Sequence, residues 1–172
     1  MEVVIAPNNK LRVQTKPVKA VTPALKKLVE EMIKLTESYT DPQGVGLAST
    51  QIGRDEQLFV ALQKDKNFKA YLNPKIISYS KKKKLMLEGC LSIPNYWGKI
   101  ERPIAVTVSY LDIDGNQIKE RLTGLAAHIF QHEVDHLKGK LFMDIVMEQR
   151  AQLYKIVGKD KYGEDIWEAV PL

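Results

Sequence analysis

A histidine pair that brackets a glutamate limits the possible folds of this chain more than any other pattern in it. His132 and His136 lie four positions apart, and Glu133 directly follows the first of them. On an α-helix, positions four apart share one face and lie about 6 Å apart along the axis, so both imidazoles can reach one metal ion. Glu133 can then act on a water held at that ion. The spacing predicts a helix with one face turned to a metal site, although a solvated helix face explains this motif alone equally well.

A catalytic metal usually needs three protein ligands and one open position, so the third ligand must come from elsewhere. His128 is on the same predicted helix but lies about 12 Å from His136 along the axis, and we expect it to be a core or pocket-lining residue. The only cysteine, Cys90, stands in a short extended stretch that ends at Pro94. A lone cysteine is usually a small buried apolar residue, but next to a histidine pair its thiolate becomes a candidate ligand.

The apolar pattern predicts an α+β fold, with mostly antiparallel sheets around a central helix that carries the H-E-x-x-H motif. The length of 172 residues fits one domain, residues 1–172. Thr22-Pro23 begins a predicted amphipathic helix over 22–38, and a second helix is predicted over 124–137 with Gly139 just after its end. A third helix is predicted from 144 to 157. Strands are predicted at 58–62, 70–72, 75–79, 84–87, 104–111 and 117–122.

Composition favours a soluble cytoplasmic protein. The apolar run at the N-terminus is too short for a signal peptide, and no stretch approaches the roughly 20 apolar residues that span a bilayer. A single cysteine allows no intrachain disulfide, which fits a reducing compartment. The net charge of +5 does not by itself indicate nucleic-acid binding. For the basic run Lys81–Lys84, a solvated loop is the favoured interpretation and contact with ribosomal RNA is the second.

Three separated segments together resemble the signature motifs of peptide deformylases. They are G-V-G-L-A-S-T-Q at 44–51, E-G-C-L-S at 88–92 and Q-H-E-V-D-H-L at 131–137. Their order and spacing also fit, and the similarity runs from about Leu11 to Asp144. Ser49 stands where the family usually has alanine, and a small residue there should not disturb the turn.

The resemblance implies an active enzyme that removes the formyl group from the N-terminal formyl-methionine of nascent proteins and releases formate. It implies one divalent metal ion per chain, natively Fe(II), with Zn, Ni or Co as substitutes. The implied metal ligands are Cys90, His132 and His136. Glu133 would take the proton of the attacking water and return it to the leaving amine. The side-chain amide of Gln51 and the backbone N–H of Leu91 would stabilise the oxyanion. Formyl-methionyl nascent peptides are the expected partners, with the ribosome as a further candidate and no membrane.

The substrate pocket should hold an unbranched thioether side chain. Leu125 and Ile129 precede His132 by seven and three positions, so they share its helix face. Val45 lies between two glycines of the first motif, Gly44 and Gly46, which allow a peptide backbone to approach. From the sequence alone, a role in the core explains Val45, Leu125 and Ile129 at least as well as a role in the pocket.

Four further side chains are expected near this site. Arg102 and Asp135 are predicted to form a supporting ion pair near the metal. Tyr96 and Trp97 are candidates for the rim of the pocket or for packing.

Two other functions stay open on the sequence. A zinc peptidase also uses H-E-x-x-H, and its third ligand would be a downstream glutamate: Glu148, Glu164 or Glu168. A small basic ribosome-binding protein with a structural metal would need a closed site of four ligands, and the sequence offers no obvious fourth.

Overall fold

The computed structural model describes residues 1–172, which form three α-helices and nine β-strands. The helices are α1 (Pro23–Glu37), α2 (Gly124–Leu137) and α3 (Phe142–Gln149). The strands are β1 (Gly46–Ala48), β2 (Leu58–Leu62), β3 (Phe68–Tyr79), β4 (Lys83–Cys90), β5 (Ile93–Pro103), β6 (Ala105–Leu111), β7 (Gln117–Thr123), β8 (Leu153–Lys159) and β9 (Asp165–Val170).

The strands form two sheets, and every pairing between neighbouring strands is antiparallel. One sheet has five strands in the order β1-β2-β3-β6-β7, and the other has four in the order β4-β5-β8-β9. The predicted α+β class with mostly antiparallel sheets is confirmed.

Helix α1 forms where the sequence predicts it. The hydroxyl of Thr22 accepts a hydrogen bond from the backbone N–H of Leu25 at 3.2 Å, which caps the first turn, and a proline occupies the first helical position. Leu25, Val29 and Met32 recur on one face and are buried against the outer side of β1 and β2. The helix thus covers the five-stranded sheet on the side away from the motif.

Helix α2 is the central helix that the motif requires. Its apolar residues pack with side chains of the five-stranded sheet, and the aromatic ring of Phe130 meets those of Phe59 and Tyr71 edge-on. Burying a side chain of this size stabilises the fold by about 1.5–3 kcal/mol. The helix also contacts β5 of the second sheet. It ends at Leu137, and Gly139 follows with φ +72°, the left-handed conformation that suits glycine after a helix.

The two predicted strands at 70–72 and 75–79 are one continuous strand, β3. The pairing of β3 with β6 shifts register between Leu72 and Lys75, where Asn73 has φ +49°. The Asn73 side chain accepts a hydrogen bond from Val18 N–H at 2.7 Å and donates one to Val18 C=O at 2.8 Å. These bonds stabilise the irregular backbone at Asn73. The sequence pattern is interrupted at the same point, and for that reason it predicted two strands.

The prediction of one helix from 144 to 157 is wrong beyond Gln149. Helix α3 begins at Phe142 and ends at Gln149, and Arg150 then takes a left-handed conformation with φ +49°. The chain continues as β8, which pairs with β5 and β9. Pairing with β5, which is distant in sequence, and with β9 in a hairpin, together with β-branched Ile156 and Val157, favours a strand there.

Strand β5 was not predicted, because its inward positions are occupied by residues that do not suggest a buried strand. Its alternate positions Gly98, Ile100 and Arg102 are buried, and only one of these is a large apolar residue. Among the helices of the fold, none has both the length and the apolar surface needed to cross a bilayer.

Candidate active site

Three side chains with metal-binding atoms converge between α2 and the end of β4. The Nε2 atoms of His132 and His136 lie 3.2 Å apart, and Cys90 Sγ lies 3.2 Å from His136 Nε2. The ligand atoms of all three residues lie within 4.8 Å of one another. Ligands on one transition-metal ion each lie about 2.0–2.3 Å from it, so this spacing suits a shared ion. The donor set therefore fits one metal with three protein ligands.

Cys90 reaches this point because β4 ends beside α2. The pairing of β4 with β5 shifts register between Gly89 and Cys90, which turns the chain toward the helix. A Cβ atom added at Gly89 would lie 2.8 Å from the ring of Trp97, so the strand can pass this indole only with glycine. Gly89 therefore allows β4 to pack directly against Trp97, one residue before the cysteine.

Glu88 contacts the ring nitrogen of His132 that faces away from the other two candidate ligands. Its two carboxylate oxygens accept hydrogen bonds of 2.7 Å from Nε and Nη2 of Arg102, and its Oε1 lies 2.5 Å from Nδ1 of His132. Its Oε2 also lies 2.6 Å from Nε2 of His128. An Nδ1–H that points at Glu88 leaves the Nε2 lone pair of His132 free for a metal.

The charges of the buried residues Glu88, His132 and Arg102 compensate one another. Burial alone would raise the pKa of Glu88, but His132 and Arg102 outweigh burial and hold that pKa well below its usual range. Arg102 also donates to Asp135 at 2.9 Å, so the predicted ion pair between these two residues is present. Burial and the neighbouring His132 hold the pKa of His136 well below its usual range, which favours the neutral form that binds metals.

Glu133 is buried beside the ligands without a partner for one of its oxygens. Its side chain is 3% exposed, and Oε2 has no hydrogen-bond partner. Burial raises the pKa of Glu133 to about 7. Gly46 of β1 lies directly against it, since a Cβ atom at Gly46 would stand 2.3 Å from Glu133 Oε1. A carboxyl group with this pKa can both take up and release a proton near neutral pH.

Gln51 lies on the other side of Cys90, in a short 3-10 turn that follows β1. Its Oε1 accepts from the backbone N–H of Ala48 at 2.9 Å, which fixes the orientation of the amide. Its Nε2 then points at Ser92 Oγ, at 3.1 Å, and at Cys90 Sγ, at 3.4 Å. Leu91 directly follows the cysteine and lines the same cavity. Both predicted oxyanion donors therefore adjoin the ligand cluster.

A cavity of about 380 Å³ opens over these groups. Val45, Gly46 and Ile129 line it, and Leu125 lies at its mouth with 60% of its surface exposed. Gly44 lies outside the lining. A Cβ atom there would stand 2.3 Å from the carbonyl oxygen of Thr36, so close packing against α1 accounts for this glycine.

Some residues around the cavity had no role assigned from the sequence, and others had been expected there. Glu88 is the most important, and its position offered a signal, because alternate residues of a strand share one face and Glu88 is two positions before Cys90. Tyr96 and Trp97, predicted at the rim or in packing, line the cavity, as does His128. Tyr39 and Asn95 also line it, and no pattern in the sequence indicated them.

The two alternative functions lack the ligands that they need. The cluster of potential metal ligands contains Cys90 and no downstream glutamate. Glu148, Glu164 and Glu168 are all exposed and do not line the cavity. The cluster has three members, whereas a closed structural site would need four.

Comparisons with known proteins agree with this geometry. The family model described as polypeptide deformylase matches residues 1–152. A peptide deformylase of Rhodopseudomonas palustris is 39% identical over 158 residues, which cover 88% of this chain and 86% of that protein. The crystal structure of the Thermotoga maritima peptide deformylase superposes with a TM-score of 0.78 at 35% identity and covers 84% of this chain and 95% of that chain. A Met-Ala-Ser-bound peptide deformylase from Acinetobacter baumannii superposes with a TM-score of 0.77 at 29% identity, covering 84% and 97%.

The match spans most of the chain and includes every residue of the ligand cluster. The chain therefore belongs to the polypeptide deformylase family, and its activity is the metal-dependent removal of the N-terminal formyl group from newly made peptides.

Proposed function

We propose that Cys90, His132 and His136 bind one divalent metal ion and that Glu133 moves the protons of formamide hydrolysis. The convergence of three ligand atoms beside a buried carboxylate with an unpaired oxygen carries this assignment. When bound, the ion supplies a Lewis acid that lowers the pKa of water and polarises the formyl carbonyl. Residues 1–172 act together as one catalytic domain.

Glu133 accepts the proton of the attacking water and later donates it to the leaving amine. Its pKa of about 7 suits both steps, because a group with a pKa near the working pH exchanges protons in either direction. Gln51 Nε2–H and the backbone N–H of Leu91 donate to the oxygen that gains negative charge during attack. Gln51 is 1% exposed, so its hydrogen bond competes little with water and has its full strength.

The cavity holds the methionine side chain of the substrate between Val45 and Ile129, with Leu125 closing the mouth. Gly46 has no side chain, and this leaves room for Glu133 and for the peptide. The relative that carries Met-Ala-Ser supports the same tripeptide as a product here.

Fe(II) is the native ion in this proposal, and Zn, Ni or Co can replace it. A thiolate with two imidazoles is compatible with all four, so metal analysis of anaerobically purified protein decides between them. We place the enzyme in the cytoplasm, in contact with nascent chains and transiently with the ribosome. Cosedimentation with ribosomes at low and high salt tests that contact.

The test is formate release from formyl-Met-Ala-Ser, with metal content measured on the same samples. We expect Glu133→Ala to lose activity by at least the 10²–10⁴-fold that general acid–base catalysis usually contributes, because no neighbouring group replaces its carboxylate. Its metal content should stay near that of the wild type, since Glu133 is not a ligand. Glu148→Ala, which removes an exposed carboxylate on α3, is the matched control and should keep both properties. Full activity in Glu133→Ala would end the assignment.

A further inference from the structure

The first residues of the chain lie against the segments that carry the two oxyanion donors. Residues Val3, Val4, Ile5 and Ala6, called the N-terminal strap below, belong to no helix or strand. Val3 is 9% exposed and packs in the apolar cluster between α1 and the five-stranded sheet, and Leu91 contacts the same cluster. Ile5 is 47% exposed. The strap is therefore fixed in the core at Val3, while its middle lies at the surface.

The strap donates a backbone hydrogen bond to each of the two donor segments. Val4 N–H donates to the carbonyl oxygen of Gln51 at 2.7 Å, and Ala6 N–H donates to the carbonyl oxygen of Ser92 at 2.9 Å. Gln51 Nε2 donates in turn to Ser92 Oγ at 3.1 Å. The strap and the two segments thus form a closed ring of hydrogen bonds.

Such a ring addresses a requirement of the oxyanion donors. Gln51 follows β1 in a short 3-10 turn, whereas Leu91 follows β4, so the two donors come from segments distant in sequence. Donors stabilise a developing negative charge best when their positions are fixed before the reaction. A third segment that binds both fixes their separation. No residue of the strap lines the cavity, so the strap does not contact the substrate.

We propose that the N-terminal strap is a positioning element, which acts on catalysis through Gln51 and Leu91. The inference rests on the proposed function, because that function makes these two residues the oxyanion donors. The bonds from Val4 and Ala6 then contribute to the transition state and little to substrate binding. Their loss should lower kcat and leave KM and metal content unchanged, because the cavity and the proposed ligands are not touched.

The first test is Val4→Pro, which removes the N–H that reaches Gln51. Outright loss of an oxyanion donor costs about 10²–10³-fold in kcat, so a displaced donor should cost less, about 5- to 100-fold. Ile5→Pro is the matched control. It introduces the same residue one position along, where the N–H makes no backbone hydrogen bond, and it should keep the wild-type kcat. Equal kcat in the two variants would overturn the proposal.

A double-mutant cycle with Gln51→Ala distinguishes positioning from general damage. Once the amide of Gln51 is gone, Val4→Pro has no donor left to displace, so it should lower kcat little further. If Val4→Pro lowered kcat by the same factor in both backgrounds, the strap would not act through Gln51 and the proposal would fail. Melting temperature and metal content are measured on every variant.

A milder variant covers the case in which Val4→Pro does not fold. Val3→Ala loosens the buried end of the strap and keeps every N–H, so kcat should fall by a smaller factor and again only when Gln51 is present. Val13→Ala, at a valine that is 39% exposed, is its control and should keep the wild-type kcat. A lower melting temperature with unchanged kcat in Val3→Ala would show a purely structural role and overturn the proposal.

Gln51→Ala by itself separates the two levels of inference. If this variant keeps the wild-type kcat, the donor role assigned to Gln51 in the proposed function fails. If it loses about 10²–10³-fold in kcat while Val4→Pro and Ile5→Pro behave alike, the role of the strap alone is refuted.

Discussion

Replacing Gly46 by alanine places a methyl group against the carboxylate of Glu133. The added Cβ atom would lie 2.3 Å from Oε1 and 2.9 Å from Cδ, about 1 Å inside ordinary van der Waals contact. Gly46 does not have a positive φ, so its backbone accepts alanine. Because the carboxylate is the end of a side chain and has an unpaired oxygen, it should move rather than the strand.

A displacement of about 1 Å at a reacting group costs about 100-fold in rate. We therefore expect Gly46→Ala to lower kcat for formyl-Met-Ala-Ser by about two orders of magnitude. Its metal content and melting temperature should stay close to those of the wild type, since neither the ligands nor the core are touched. The assay measures formate release, metal content and thermal unfolding on one preparation.

Gly44→Ala, two residues earlier, is the contrasting variant. Its Cβ atom would lie 2.3 Å from the backbone carbonyl oxygen of Thr36, which cannot move without distorting α1. Overpacking of this kind costs about 1–3 kcal/mol, which lowers the melting temperature by about 2–12 °C in a protein of this size. If Gly46→Ala kept kcat within about threefold of the wild type, or if the two variants behaved alike, the reasoning from these contacts would be refuted.

Three other results follow from the site. Cys90 should resist iodoacetamide in the metal-loaded enzyme and react after chelation, because a coordinated thiolate is not free to attack; rapid alkylation without loss of metal would remove it from the site. Glu88→Ala should lower the free energy of unfolding by about 3–5 kcal/mol and weaken metal binding about 10- to 100-fold, because it leaves Arg102 buried without its main partner and frees the ring of His132; denaturant unfolding and metal titration measure the two effects, and an unchanged affinity would contradict the orienting role. The kcat/KM for formyl-Met-Ala-Ser should exceed that for formyl-Ala-Ala-Ser by about ten- to hundredfold, since each buried methylene contributes about 0.8 kcal/mol. Equal values of kcat/KM would show that the cavity does not bind the methionine side chain.

The sequence predicted the elements whose stability is local and whose pattern is regular. Helix α1 has its Thr22 cap and a periodic apolar face, and strand β2 lies where it was predicted, over Leu58–Leu62. Strand β5 and the C-terminal hairpin of β8 and β9 could not be predicted in the same way. The inward side of β5 carries Gly98 and Arg102. Gly98 is buried because it packs against α3, and Arg102 is buried because it is hydrogen-bonded to Glu88.

The site was predictable where chemistry restricts the residue type. Only a few side chains bind transition metals, so Cys90 and the two histidines were recognisable as a set. Glu88 has no such restriction, because a glutamate on a strand is usually solvated, and its role depends on an arginine and a histidine that approach it from two other elements. The predicted peptide-binding role of Gly44 stays a prediction, and its contact with Thr36 gives a separate reason for glycine there.

The three proposed ligand atoms belong to two elements, the end of β4 in the four-stranded sheet and helix α2 on the five-stranded sheet. The proposed site therefore exists only when both parts of the fold are assembled, and we expect unfolding of either part to release the ion. Binding and folding are then linked thermodynamically. Above the dissociation constant, each tenfold rise in free metal should add about 1.4 kcal/mol to the free energy of unfolding. Metal above the dissociation constant should thus go on stabilising the folded enzyme after its activity has already reached its maximum.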